Sequence, residues 1–146
     1  AGDMSSTHGG NPVCAAAALA CLDVLEDEKL VQTSARTGAM VLDSLRQLEQ
    51  DFAERIRSIH GPGLFISVHT QRPETAEPDV ELADAVALEA VRRGVLMFVT
   101  GRGLLKFVPP LCIDPEAALE AAQVIRECFR DVLKNERVSN EGEEEH

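Results

Sequence analysis

Near its start the chain reads "DMSSTHGGNPVCAAAALACLDVLE", Asp3 to Glu26. Three hydroxyls, an imidazole and two glycines run directly into an Asn-Pro pair and an alanine-rich apolar stretch. Hydroxyls and the backbone N–H groups of a Gly-rich turn ahead of a helix suit an oxyanion such as a phosphate. An exposed helix N-terminus contributes only about 0.3–1 kcal/mol to such binding, so it tunes a site rather than making one. On spacing alone, Ser6 and Thr7 read as ordinary turn residues. Gly9 and Gly10 permit the turn, Asn11 reads as a cap, and His8 as a surface residue or one lining an entrance.

The other chemistry-bearing side chains are scattered. His8, His60, His69 and His146 lack metal-ligand spacing, and there is no nucleophile elbow or phosphate-binding loop of the GxxxxGK type. Cys14, Cys21, Cys112 and Cys128 form no CxxC pair and lie in apolar segments, where a thiol behaves as a small hydrophobe. They fit a reduced, cytoplasmic setting. The lysines are Lys29, Lys106 and Lys134. Lys106, in "LLKFVPP", reads as a solvated strand residue, and Arg102 in the neighbouring "TGRG" turn as a solvated turn residue. Most carboxylates fall on outer helix faces.

These residues need elements to hold them. Asn11-Pro12 starts a helix to about Glu26 that is apolar nearly all round, which predicts burial on several sides and a missing partner. From about Glu28 to Asp51, Leu30, Ser34, Thr37, Val41, Leu45, Leu48 and Phe52 recur on one helical face. "RIRSIHGPGLFISVHT" reads as two extended pieces meeting at Gly61-Pro62-Gly63, with Leu64, Ile66 and Val68 alternating with Phe65, Ser67 and His69. Asp79 opens a third helix that ends at Arg93–Gly94. "VLMFV" and "LLKFVPP" are short strands around "TGRG". Asp114-Pro115 starts a last helix to about Lys134, striped by Ala118, Leu119, Ala122, Ile125, Phe129 and Val132. This order predicts an α+β fold, a small, mainly antiparallel sheet covered by helices.

Composition narrows the function. The 146 residues are 45% hydrophobic but 3% aromatic, so the core is aliphatic. A net charge of −11 argues against nucleic acid, which needs concentrated Lys and Arg. The run Val13–Leu22 is too short to span a bilayer, and no signal peptide is evident. The closing "NEGEEEH" reads as a solvated, disordered tail. The expected parts are a Gly-rich loop over 1–11, a domain over 12–134 and an acidic tail over 135–146.

Three stretches carry a resemblance. "SSTHGGNPVCAAAALACLDVLEDEKL", "IRSIHGPGLFISVH" and "RRGVLMF…GRGLLKFVPPLCIDPEAALEAAQVI", in this order, resemble the class III aminotransferases that use pyridoxal phosphate, covering about Ser5 to Asp131. That family includes ornithine, acetylornithine and 4-aminobutyrate transaminases. The resemblance implies the C-terminal small domain of a fold-type I enzyme, preceded by a long buried helix. The large cofactor-binding domain and its Schiff-base lysine would lie outside this chain, because none of the three lysines has the cofactor-lysine context. It implies that Thr7, with Ser6 as a secondary candidate, binds the phosphate of a cofactor held by the second subunit of a homodimer. It implies amino transfer between an amine or amino acid and a keto acid.

Two positions depart from the family pattern. Lys106 stands where an arginine commonly clamps the substrate carboxylate, exchanging a bidentate fork for a point charge. His60 replaces the usual arginine before Gly-Pro-Gly. The rival reading is a free-standing α+β binding or regulatory module without chemistry. An ordered N-terminal loop packed on a partner favours the enzyme; a pocket between sheet and helices favours the rival.

Overall fold

The computed structural model describes residues 9–143. The elements run α1 (Pro12–Asp27), α2 (Leu30–Asp51), β1 (Ile56–His60), β2 (Ile66–Thr70), α3 (Val80–Arg92), β3 (Phe98–Thr100), β4 (Leu104–Phe107) and α4 (Pro115–Glu143). The four strands form one antiparallel sheet in the order β1-β2-β4-β3. This is the expected α+β arrangement.

One face of the sheet is covered. Ile59, Ile66, Val68, Leu105 and Phe107 point into a core with Val41, Leu45 and Leu48 of α2, Leu82 and Val86 of α3, and Ala122, Ile125 and Phe129 of α4. The alternation along β2 thus sorts the strand into a core face and an outer face, as its period of two requires. α2 also closes the β1 edge. Glu49 Oε1 accepts the Ile59 N–H at 2.5 Å, so an unpaired strand group is covered by a helix side chain.

The turn between β1 and β2 is docked on α2 by glycine and serine. Leu64 N–H donates to Ser34 Oγ at 3.1 Å. Gly63 has φ +53, and a Cβ built on Gly38 would fall 2.1 Å from the Gly63 carbonyl oxygen. Only a glycine at position 38 lets the helix and turn backbones touch.

Polar caps tie the remaining elements together. Asp79 Oδ1 accepts the Leu82 N–H at 3.0 Å and starts α3, while its Oδ2 lies 3.0 Å from Arg55 Nη2. Arg55 Nη1 reaches Glu136 Oε2 on α4 at 2.6 Å. The Thr70 hydroxyl lies 2.6 Å from the Asp79 carbonyl and 2.9 Å from that of Gly103. Asp114 caps α4 through the N–H groups of Glu116 and Ala117.

Three expectations are corrected. α1 forms, but none of its residues is buried: Val13 is 77%, Leu19 62% and Leu22 55% exposed. The helix leans on α2, and no second layer among the described residues covers its other sides. α4 does not end near Lys134 but continues to Glu143, so the segment read as a disordered tail begins as helix, held by the Glu136–Arg55 ion pair. Cys14, Cys21 and Cys112 are exposed and only Cys128 is a core thiol, because two of the apolar-looking cysteines ride on uncovered α1. No helix among the described residues is long and apolar enough to cross a membrane.

Candidate functional site

The N-terminal turn is described from Gly9 onward. Ser6 and Thr7, the candidates for phosphate, and His8 lie outside the described residues. Gly10 adopts φ +77, and no described residue comes within 4 Å of a built Cβ there. Asn11 caps α1 by accepting from the Val13 N–H at 2.9 Å and the Cys14 N–H at 3.4 Å. Its carbonyl takes the Ala15 N–H at 2.9 Å, and Pro12 has no N–H to give. Every donor of the first helical turn is therefore committed. The N-terminus of α1 therefore keeps no uncommitted backbone donor for an anion.

Lys106 is on the outer face of the sheet, opposite Ser67 of β2 and Phe98 of β3. His60 of β1 also faces Ser67. One row thus crosses all four strands as His60, Ser67, Lys106 and Phe98. The Lys106 Nζ lies 5.8 Å from the centroid of the Phe65 ring, within cation–π range. His60 and His69 stack with ring centroids 4.9 Å apart and planes 17° from parallel. Burial holds the His69 imidazole below its ordinary pKa, with the neighbouring His60 and Arg57 charges acting in the same direction.

The structure separates the other candidates. Arg102 is exposed in the β3–β4 turn. Lys29 sits at the α1–α2 junction with φ 52, and Lys134 is exposed on α4. Among the described residues no group of three or more His, Cys, Asp or Glu is arranged to hold a metal ion.

Sequence reasoning missed the imidazole pair and the central place of Ser67. The signal was present: Phe65, Ser67 and His69 were already on the face opposite the core residues. What was lacking was the β1–β2 register, which sets His60 across from Ser67 and diagonal to His69.

A family model described as aminotransferase class-III matches residues 1–129. Ornithine aminotransferase 1 of Staphylococcus aureus strain MRSA252 is 40% identical over 134 residues, covering 92% of this chain and 30% of that protein. The 4-aminobutyrate aminotransferase of Mycobacterium leprae strain TN is 35% identical over 130 residues, covering 88% and 29%. The solved acetylornithine aminotransferase from Elizabethkingia anophelis superposes with a TM-score of 0.76 at 28% identity, over 90% of this chain and 31% of that one. The chain thus spans about 30% of the length of these relatives. The match over residues 1–129 runs from the Gly-rich turn to the core stripe of α4, and by it the chain belongs to the class III aminotransferase family.

Proposed function

We propose that this chain is the C-terminal part of an aminotransferase that uses pyridoxal phosphate and moves an amino group between an amine or amino acid and a keto acid. The family match across residues 1–129 carries this reading. Two features of the chain support it. α1 exposes Val13, Leu19, Leu22 and Val24, an apolar helix that needs cover from a larger body, here the cofactor-binding domain and the second subunit. Lys29 in the turn between α1 and α2 and Lys134 on α4 are exposed, and Lys106 stands among the strands. The residue that binds the cofactor covalently is therefore assigned to the rest of the enzyme.

When bound, pyridoxal phosphate supplies an electron sink; the protein supplies binding and orientation. The described residues fit its phosphate end only. No described residue crowds a Cβ built on Gly10, and the Asn11 cap consumes the first-turn donors of α1, which supports a role for the loop ahead of the helix. Thr7 is the proposed hydrogen-bond donor to the phosphate of the cofactor held by the second subunit, with Ser6 beside it. Lys106 is the proposed cation for the substrate carboxylate, on one wall of the substrate site.

The test uses the whole enzyme. Thr7→Ala should weaken retention of pyridoxal phosphate by about 10- to 150-fold, the loss of one hydrogen bond to a charged group, worth about 1.5–3 kcal/mol. Circular dichroism should be unchanged. Equal cofactor affinity in mutant and wild type would remove Thr7 from the site.

A further inference from the structure

A β-bulge brings two imidazoles together at the edge of the sheet. Ile56 and Ile59 of β1 both lie in the core, and the register against β2 shifts between Ile56 and Ser58. Strict alternation from Ile56 would turn His60 inward; the extra residue turns Ser58 and His60 to the outer face instead. There Ser58 pairs with His69 and His60 with Ser67. The two strands thus present a square block, with imidazoles on one diagonal and serines on the other.

The ring centres are 4.9 Å apart and the planes 17° from parallel. An imidazole bound through nitrogen holds its ring centre about 3.2 Å from a first-row metal ion, so two rings at angles of ~90–110° on one ion stand roughly 4.5–5.2 Å apart. The pair already has the spacing of a shared ion. Each ring then has only to turn about its Cβ–Cγ bond until the lone pairs converge, and that torsion is soft in histidine. The small serines at the other corners leave room above the block for an ion and its waters. His60 is exposed and His69 half-buried, so solvent reaches the pair. Burial, with the His60 and Arg57 charges, favours the neutral, ligating form of His69. The strands IRSIH and ISVHT contain no carboxylate, so they offer nitrogen ligands, which suit Ni²⁺, Cu²⁺ or Zn²⁺ rather than Mg²⁺ or Ca²⁺. Arg57, and Lys106 across from Ser67, repel a dication and limit its affinity.

We propose that His60 and His69 form a two-imidazole site for a late first-row divalent cation, with water completing its coordination. Among the described residues no third His, Cys, Asp or Glu joins the pair. Structural zinc sites close the shell with four protein ligands; two leave the ion exchangeable, so occupancy follows its concentration. The bound ion cross-links β1, an edge strand, to β2. The chelate exists only in the folded chain, so binding stabilises the fold by linkage. The site is independent of amino transfer, and it belongs to this chain rather than to the family pattern, in which position 60 is commonly an arginine.

The experiment titrates the 146-residue chain with NiCl₂ at about pH 7.5, where free imidazole is mostly neutral, after the exposed thiols are capped with iodoacetamide. Calorimetry should show a single Ni²⁺ per chain, and saturating Ni²⁺ should raise Tm; Mg²⁺ should do neither. His60→Gln and His69→Gln should each weaken binding about tenfold or more and abolish the Tm rise, because a lone imidazole lacks the second ligand held beside it. The double variant should bind no more weakly than either single one, the mark of two ligands on one ion. His8→Gln and His146→Gln should bind as wild type does. In the wild-type chain, paramagnetic Ni²⁺ should broaden the Cε1–H resonances of His60 and His69 before those of the other two histidines, a readout that needs no variant to fold. Wild-type affinity in either His60→Gln or His69→Gln overturns the proposal. So does broadening that begins at His8 or His146, or Mg²⁺ binding as tight as that of Ni²⁺.

Discussion

Gly38→Ala should destabilise this protein, although alanine is the better helix former. Glycine inside a helix costs about 1 kcal/mol relative to alanine, so propensity alone predicts a gain at the middle of α2. Packing predicts the opposite. A Cβ at position 38 would lie 2.1 Å from the Gly63 carbonyl oxygen, 2.2 Å from its carbonyl carbon and 2.6 Å from its Cα. All three are backbone atoms, so no side chain can swing aside. The turn cannot retreat freely either, since Ser34 holds the Leu64 N–H at 3.1 Å and Gly63 is already at φ +53. Overpacking of this kind costs about 1–3 kcal/mol and sometimes more. Against backbone we place it at the upper end and subtract the propensity gain, leaving about 2 kcal/mol of net destabilisation. For a chain near this length that is about 4–8 °C in Tm. Urea unfolding followed by far-UV circular dichroism measures it, with Gly38→Ser as a second, larger probe. A Gly38→Ala variant as stable as wild type, or more so, would refute the close approach of α2 to the Gly61–Gly63 turn.

Other outcomes follow from the same structure. Asp79→Ala should cost about 2–4 kcal/mol in urea unfolding, because it removes both the α3 cap and a charged hydrogen bond to Arg55, and Asp79→Asn should cost less by keeping the cap. The His69 pKa is depressed in the folded state, so the unfolded chain binds more protons; stability is held above the ordinary histidine range and falls as pH drops through it, and His69→Gln should flatten that part of a pH–Tm curve. Cys14, Cys21 and Cys112 should react with a thiol reagent in the native protein while Cys128 reacts only on unfolding, since it is fully buried and burial raises its pKa.

The long-period signals were legible before the structure. The α2 stripe of Ser34, Thr37, Val41, Leu45 and Leu48 is buried as its spacing predicts. Ala118, Ala122, Ile125 and Phe129 are buried on α4. The caps at Asn11, Asp79 and Asp114 all form, because a short polar side chain before a helix satisfies donors locally and needs no tertiary information. What could not be read was anything set by register or by distant charge. The Arg55–Glu136 pair joins residues far apart in sequence, and it lies where α4 runs beyond the end that local composition suggests. The stacking of His60 on His69 depends on a two-strand register that a single strand's alternation does not contain.

The same distinction explains why α1 misled the reading of burial. Its hydrophobicity is real, but hydrophobicity states a need for cover and not where the cover is. In this chain α1 touches α2 and presents Val13, Leu19 and Leu22 outward. The Gly-rich turn that feeds α1 has spent its first-turn donors on Asn11. Gly9 and Gly10 of the turn and the outer face of the sheet both lie outside the chain's own core. A domain built only for itself would bury α1. Under the function proposed above, the cover that α1 needs comes from the rest of the enzyme.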